Sequence, residues 1–386
     1  MKRVAAIVMG GGEGNRLFPL TQSKAKPALQ VGGKYRLIDF PILNALNSDI
    51  RRVYVLTQFL ASSLHQHLFK TYGPNVNILA CEKKPGNDKW YQGTADAVRQ
   101  NIEYLSDCPV DYFLILSGDH LFEMDFREFL IFSIEKGADI TIASIPVTPE
   151  LATRMGVLRT DSEHKIVEFI EKPKHKLPFS PLYGSMGIYC FKREALFDYL
   201  TRLDGDDFGK EIIPKLVEKG NAYAFPYTGY CEDIGTLKSF YEANLALTKK
   251  NLFDPIGMSL SELPGPRFHN THIRQSIVND GSIINAKTIQ NSILGQRTII
   301  DEETVIDSSY IIGNEYYEHP IDKWRPGIGK DCHIRKAIID ENVRIGDHVK
   351  LINEDDIQHY DSPFLFIRDG IIVVPRGAII PPNFCI

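Results

Sequence analysis

Nowhere in the 386-residue chain is there an apolar run of the roughly 20 residues that a bilayer-spanning helix requires. Paired cysteines are missing too. The six cysteines, Cys81, Cys108, Cys190, Cys231, Cys332 and Cys385, occur without CxxC spacing, so neither a zinc site nor a disulfide framework is indicated. Charge of one sign is also scarce. With 44 basic and 49 acidic residues the formal charge is −5, which gives no general attraction to nucleic acid, and an anionic ligand has to be held by a local basic cluster. The opening MKRVAAIVMG carries a basic pair and a short apolar run but no small-residue cleavage pattern, and it reads as a buried first strand. The expectation is a cytoplasmic protein with neither membrane nor nucleic acid as partner.

What the chain does have is ordinary globular composition, 43% hydrophobic and 24% charged, over a length that exceeds one core. We expect two domains, residues 1–250 and 269–386, joined by a linker at 251–268 that contains Pro255, Pro264, Gly265 and Pro266. Up to about residue 245, short apolar runs alternate with helical periodicity, the pattern of an α/β sheet wrapped by helices. Residues 3–9, 53–57, 112–117 and 139–145 are near-continuous apolar strands, as expected where both sheet faces are covered. Ala95, Val98, Ile102 and Leu105 recur at helical spacing, as do Phe129, Phe132 and Ile134.

Beyond the linker the period becomes six. Ile277, Ile283 and Ile289 keep that interval, as do Ile293, Ile299, Val305 and Ile311, and then Ile328 with Ile334 and Ile339 with Ile345 and Leu351. One inward aliphatic per face per six residues is what a triangular β-helix stacks into a continuous core. A β-sandwich of hairpins would not hold that phase over several repeats. The repeat is broken by the polar aromatic segment GNEYYEHPIDKWRPG, residues 313–327.

The first strand ends in GGGEGNRLFPLT, residues 10–21. Gly10, Gly11, Gly12 and Gly14 let the backbone approach a polyphosphate and aim its N–H groups at it. No third glycine completes a GxGxxG, and no GK[ST] follows as in a P-loop. Arg16 lies just past the glycines, with Lys24 and Lys26 following in SKAKPAL, so fixed cations approach the same loop.

These motifs, with GGKYRLIDFPILNALNSDI, VYVLTQF, WYQGTADAVRQ, SGDH, VEFIEKP, SMGIY, DFGKEIIP and EDIGT in that order, resemble glucose-1-phosphate adenylyltransferase (ADP-glucose pyrophosphorylase) over nearly the whole chain. IGKDCHIRKAIIDENVRIGDHVKLIN and FIRDGIIVV resemble its plant and cyanobacterial branch. The resemblance implies a Rossmann-like, mixed-sheet α/β nucleotidyltransferase domain followed by a C-terminal left-handed parallel β-helix. It implies ATP and glucose 1-phosphate as substrates, Mg²⁺ as cofactor, pyrophosphate as leaving group and a homotetramer.

The same resemblance assigns residues. Asp119, at the carboxyl end of the apolar strand YFLILSGD where open α/β sheets present ligand-binding groups, and Asp233 in EDIGT are the expected Mg²⁺ ligands. Arg16 is expected on the leaving pyrophosphate, with Lys26 as a second phosphate ligand and Asp119 completing the catalytic set. Tyr91, Gln92 and Gly93 fall where the family reads the base; an amide pairs with adenine but also with other bases. Lys172 resembles the family lysine on the sugar phosphate and Glu171 the residue on the sugar hydroxyls, with Gly156, Ser185, Asp207 and Phe208 as further sugar-pocket positions. A phosphomonoester has a second pKa of about 6, so the nucleophile is largely ionised at neutral pH. No general base is needed, and His120 reads as structural.

One position departs from the family: Cys231 stands where tryptophan is usual, which bears on the sugar pocket more than on the chemistry. Lys24, Arg36, Arg335 and Arg368 match positions where the family holds anionic effectors, and arginine suits phosphate bidentately. Ser23 replaces a lysine of part of the enteric branch, which favours 3-phosphoglycerate with inhibition by inorganic phosphate over a sugar bisphosphate. Three other readings fit the sequence less well: a bifunctional acetyltransferase, for which the broken repeat is unsuited; a non-catalytic regulatory subunit, for which Arg16, Lys26 or Asp119 would have to be lost; and a relative loading another nucleotide or sugar.

Overall fold

The computed structural model describes residues 3–82, 89–175, 177–178, 180–249, 263–321 and 323–386. Most of the expected linker lies outside them. Contacts divide the chain into two compact units. One is Met1–Gly12 with Ile38–Glu232, and the other is Glu13–Leu37 with Asp233–Ile386.

The first unit is built on a nine-stranded mixed sheet. Val4–Met9 lies between the parallel strands Val53–Thr57 and Tyr112–Ser117, with Val76–Ala80 outside Val53–Thr57. The long strand Tyr183–Lys192 joins Tyr112–Ser117 antiparallel and carries the sheet on to Gly156–Thr160, Ile166–Glu171 and Ile140–Pro146. The strands are continuous apolar runs because helices cover both faces. Ala5, Ile7, Phe113 and Ile115 are buried in the main core of this unit with Val98, Leu105 and Phe191. The run predicted from Ala95 to Leu105 is helical but broken into Thr94–Arg99 and Ile102–Ser106. At the break the Asn101 amide donates to the Ala97 carbonyl and the Tyr91 hydroxyl, both at 2.8 Å, drawing the chain toward Tyr91. A short Asn, Ser or Asp side chain bonding to nearby groups competes with the helix in this way.

The second unit is a three-faced parallel β-helix. One face stacks Ile283–Ile284, Ile299–Ile300, Gly327–Ile328 and Arg344–Ile345; the second stacks Thr288–Gln290, Val305–Asp307, His333–Arg335 and Lys350–Leu351; the third stacks Ile293–Leu294, Tyr310–Ile311 and Ala337–Ile339. The core residues are Ile284, Ile289, Leu294, Ile300, Ile306 and Ile311, then Ile328, Ile334, Ile339, Ile345 and Leu351. The six-residue phase read from the second run is therefore the core phase. In the first run it is partly one residue early: Ile283, Ile299 and Val305 flank the inward residues, because the coils here mix five- and six-residue steps. No strand forms between Ile311 and Gly327 among the described residues; His319 and Trp324 stack there with ring centroids 5.5 Å apart.

Residues 13–37 belong with the β-helix. Gln30–Val31 and Tyr35–Arg36 form a short hairpin whose turn, Gly32 and Gly33, has φ of 63° and 73°. Glycine is required at the second position twice over, by that φ and because a Cβ would stand 2.6 Å from the Gly295 Cα. The Tyr310 hydroxyl accepts from the Gly33 N–H at 3.2 Å and donates to the Gln30 carbonyl at 3.0 Å. Asn279 and Asn244 bond the Gly32 carbonyl and N–H at 2.8 and 2.9 Å. The hairpin is thus held by buried polar groups as well as by packing.

Candidate functional site

The parallel strands of the first unit deliver three chain segments at their carboxyl ends. Val4–Met9 leads into Gly10, Gly11 and Gly12; Val53–Thr57 leads into Gln58; Tyr112–Ser117 leads into Gly118 and Asp119. The Gly10 N–H continues the ladder to the Leu56 carbonyl at 2.7 Å. A Cβ on Gly11 would stand 3.4 Å from the Gln58 Cβ, so the glycine loop runs beside Gln58. Gln58 in turn takes the Tyr91 N–H at 2.6 Å and gives its own amide to the Tyr91 carbonyl at 3.3 Å. The three expected base-reading residues are therefore fixed by their backbone. The Gln92 N–H donates to Asp96 at 2.9 Å, and the Gln92 amide turns back to the Trp90 carbonyl at 2.6 Å. Gly93 lies so close to Asp206 that a Cβ would stand 2.3 Å from its carbonyl oxygen. Burial pushes the Tyr91 phenol up to about 12, so it stays neutral, its oxygen accepting from the Asn101 amide.

Asp119 is part-exposed at its strand end. The Ser117 hydroxyl donates to its Oδ1, and His120 Nε2 lies 3.6 Å from the same oxygen. The other ring nitrogen of His120 lies 3.0 Å from the Met186 carbonyl, a bond that fits the structural role expected of this residue.

A second gathering in this unit surrounds Glu171. One of its carboxylate oxygens would lie 2.8 Å from a Cβ on Gly156 and 2.9 Å from one on Gly209, so it packs directly against two glycines where a larger residue would clash with it. The other oxygen meets Lys172 Nζ at 3.3 Å. Tyr189, bonded to Ser185, is raised well above the ordinary phenol range by burial and then by the charges of Glu171 and Asp207. Glu171, Lys172, Gly156, Ser185 and Asp207 are thus brought together. Phe208 is enclosed in the core at 1% exposure, with ring centroids 6.1 Å from Tyr189 and 5.5 Å from Phe191, so it backs this cluster from the core side. Tyr227 and Tyr230 flank Cys231, both raised to about 12 by burial, and aromatic bulk therefore stands next to the position that lacks tryptophan.

The second unit assembles its own cluster. Gly14, with φ of 69°, packs so tightly on Lys26 that a Cβ would lie 2.7 Å from the Lys26 Cβ. Lys26 is only 6% exposed, and its Nζ lies 3.9 Å from Asp233 Oδ1. The Arg16 guanidinium completes the group, since a Cβ on Gly235 would lie 3.6 Å from Arg16 Nη2 and 3.3 Å from Asp233 Oδ2. Two fixed cations and one carboxylate therefore converge, with Arg16 exposed at the front.

The four expected effector residues do not form one group. Lys24 is 3% exposed and ion-paired to Asp340 and Glu341 at 3.2 and 2.7 Å, so its charge is not presented to solvent. Arg368 bonds Asp361 at 2.5 Å and lies over the Phe366 ring. Arg335 is exposed and Arg36 half-buried. Sequence reasoning missed Gln58, which sits in the quoted motif VYVLTQF, and Glu341, whose partners Lys24 and Gln30 are some 300 residues away.

A nucleotidyl transferase family model matches residues 5–250, and the chain belongs to that family. Residues 262–385 match the GLGC left-handed parallel beta-helix domain. The two in series are the architecture of glucose-1-phosphate adenylyltransferase, and the chain is a sugar-phosphate nucleotidyltransferase of that type, with a left-handed β-helix. Among the described residues, no helix is long and apolar enough to cross a membrane.

Proposed function

We propose that the chain joins glucose 1-phosphate to the adenylyl group of ATP, forming ADP-glucose and releasing pyrophosphate. The observation that carries this reading is the cluster around Glu171. A carboxylate able to accept from sugar hydroxyls stands beside a lysine able to meet a phosphate, with Ser185 and Asp207 close by. Such a pairing of hydroxyl-accepting carboxylates with a cationic group suits a sugar 1-phosphate better than a free sugar or a free nucleotide.

The reaction asks for position and charge rather than for a proton acceptor. The sugar phosphate arrives ionised, and displacement at the α-phosphorus is in line. Arg16 and Lys26, held in one cluster, supply fixed positive charge for the departing pyrophosphate without reorganising. Asp119 and Asp233 are hard oxygen donors of the kind Mg²⁺ prefers, and they are the residues that would hold it. When bound, the ion neutralises phosphate charge that builds up during transfer. Gln58 and Asp96 fix the backbone of Tyr91 and Gln92, which presents a rigid edge for the adenine base.

Substituting Lys172 by alanine is expected to raise the KM for glucose 1-phosphate by about 10- to 100-fold with a much smaller change in the KM for ATP, as loss of one charge-assisted bond to a phosphate does. Initial rates over a matrix of both substrates, with the sugar nucleotide identified by chromatography, check this. An unchanged KM for glucose 1-phosphate removes Lys172 from the sugar phosphate site.

A further inference from the structure

Arg99 ends the helix Thr94–Arg99, which starts directly after the expected base-reading residues Tyr91, Gln92 and Gly93. Its side chain is only 27% exposed and spreads its donors over a distant part of the sequence. Nε donates to the Leu200 carbonyl at 2.9 Å, and Nη2 donates to the Leu203 and Gly205 carbonyls at 3.3 and 2.5 Å. Nη1 stands 3.5 Å from Asp96 Oδ1 and 3.6 Å from Asp206 Oδ1. A planar fork with five N–H groups can serve three carbonyls and two carboxylates at once, whereas an ammonium on a flexible stem has three donors.

Those carbonyls belong to the end of the helix Arg193–Arg202 and to the segment that leads into Asp207 and Phe208. That segment is held at successive peptide groups. The Asp206 carbonyl accepts from the Ala95 and Asp96 N–H groups at 2.8 and 3.0 Å, and Glu211 takes the N–H groups of Asp206 and Asp207 at 2.5 and 3.0 Å. The Phe208 N–H donates to the Thr94 hydroxyl at 3.0 Å. Asp96, 9% exposed, completes the connection on the other side. Its Oδ2 accepts from the Gln92 N–H at 2.9 Å and the Gln100 amide at 2.8 Å, and its Oδ1 faces Arg99. The backbone of Gln92 and the backbone that carries Asp207 are therefore tied to one ion pair. Residues sharing such a network respond jointly rather than independently.

We propose that Arg99 is a positioning residue that locks the segment 203–208 to the base-reading edge through Asp96, so that the nucleotide and the sugar 1-phosphate favour each other's binding. A nucleotide that settles the backbone of Tyr91, Gln92 and Gly93 also settles Asp207 on the sugar side. The effect is reciprocal, because a coupling between two binding sites acts equally in both directions. Arg99 itself meets neither substrate in this account; it acts through Asp96 and through the carbonyls it holds. The inference deepens the proposed reaction and rests on it for the identity of the sugar phosphate.

The test uses the full chain as wild type, Arg99→Met and Arg99→Lys, with Mg²⁺ and the α,β-methylene analogue of ATP, which cannot release pyrophosphate. Calorimetric titration of the wild type with glucose 1-phosphate is expected to give a dissociation constant about fivefold lower, or more, with the analogue present than without it. In Arg99→Met the two constants agree within about twofold. Hydrogen exchange reads the same link without the sugar. The analogue slows exchange at the amides of residues 206–208 by about fivefold or more in the wild type and by less than about twofold in Arg99→Met, while the amides of residues 10–12 slow in both and report that the nucleotide is bound. Arg99→Lys keeps the charge and loses the fork; it is expected to lose most of both effects, and it carries the test where the methionine variant fails to fold. An arginine with a merely structural role lowers the melting temperature and leaves both ratios as they are. Ratios near one in the wild type, or wild-type ratios in Arg99→Met or, failing its folding, in Arg99→Lys, overturn the proposal. A wild type that binds no glucose 1-phosphate counts against the proposed reaction, while an Arg99-dependent response of residues 206–208 to the nucleotide still supports the role of Arg99.

Discussion

Replacing Asp119 by asparagine is expected to lower the rate of pyrophosphate release by about a thousandfold, with the melting temperature unchanged. Asparagine keeps the shape and the neighbours, Ser117 and His120, and removes only the negative charge. A hard cation loses most of its attraction to that oxygen, and several kcal/mol of charge stabilisation in transfer corresponds to about three powers of ten. The side chain is part-exposed and lies at a strand end, so folding does not depend on its charge. Single-turnover rates at saturating substrates, alongside thermal unfolding, check this. A loss of less than about tenfold would take Asp119 out of the reaction.

The largest stability effect is expected inside the β-helix. Ile289, Ile306, Ile334 and Leu351 form one inward file, each 0 or 1% exposed, stacked by parallel pairing of their strands. Ile306→Ala removes a middle member that its neighbours above and below cannot replace, at a cost of about 2–5 kcal/mol. Each coil rests only on the next, so the loss falls on the whole stack rather than on one loop. Urea unfolding followed by circular dichroism measures it as a lower midpoint with an unchanged slope. A change under about 1 kcal/mol would mean that the file is loosely packed.

Much of this was legible in the sequence because the signals are local. Apolar runs at 53–57 and 112–117 became the strands Val53–Thr57 and Tyr112–Ser117, since two-sided burial leaves no other pattern. The six-residue interval identified the β-helix, though its phase slipped at Ile283 and Val305, where adjacent aliphatics make the inward member ambiguous. The grouping of Glu171 with Lys172 followed from adjacency and that of Arg16 with Lys26 from their place beside the glycine loop, but the joining of Asp233 to them did not, because it depends on how residues 13–37 fold with residues 233–386. For the same reason Lys24 read as a cation for an anionic effector. Its two carboxylate partners lie in an ordinary-looking turn sequence, DEN, and only the fold reveals that the turn is buried.

The measurement that bears most directly on the proposed reaction is pyrophosphate release by the purified chain with Mg²⁺ and glucose 1-phosphate, comparing ATP, UTP, dTTP and GTP. Release with ATP exceeding that with each other nucleotide by about a hundredfold or more, and dependent on glucose 1-phosphate, is the expected result. Equal or greater release with another nucleotide would contradict the adenylyl assignment, and no release with any of the four would contradict the catalytic roles of Arg16, Lys26 and Asp119.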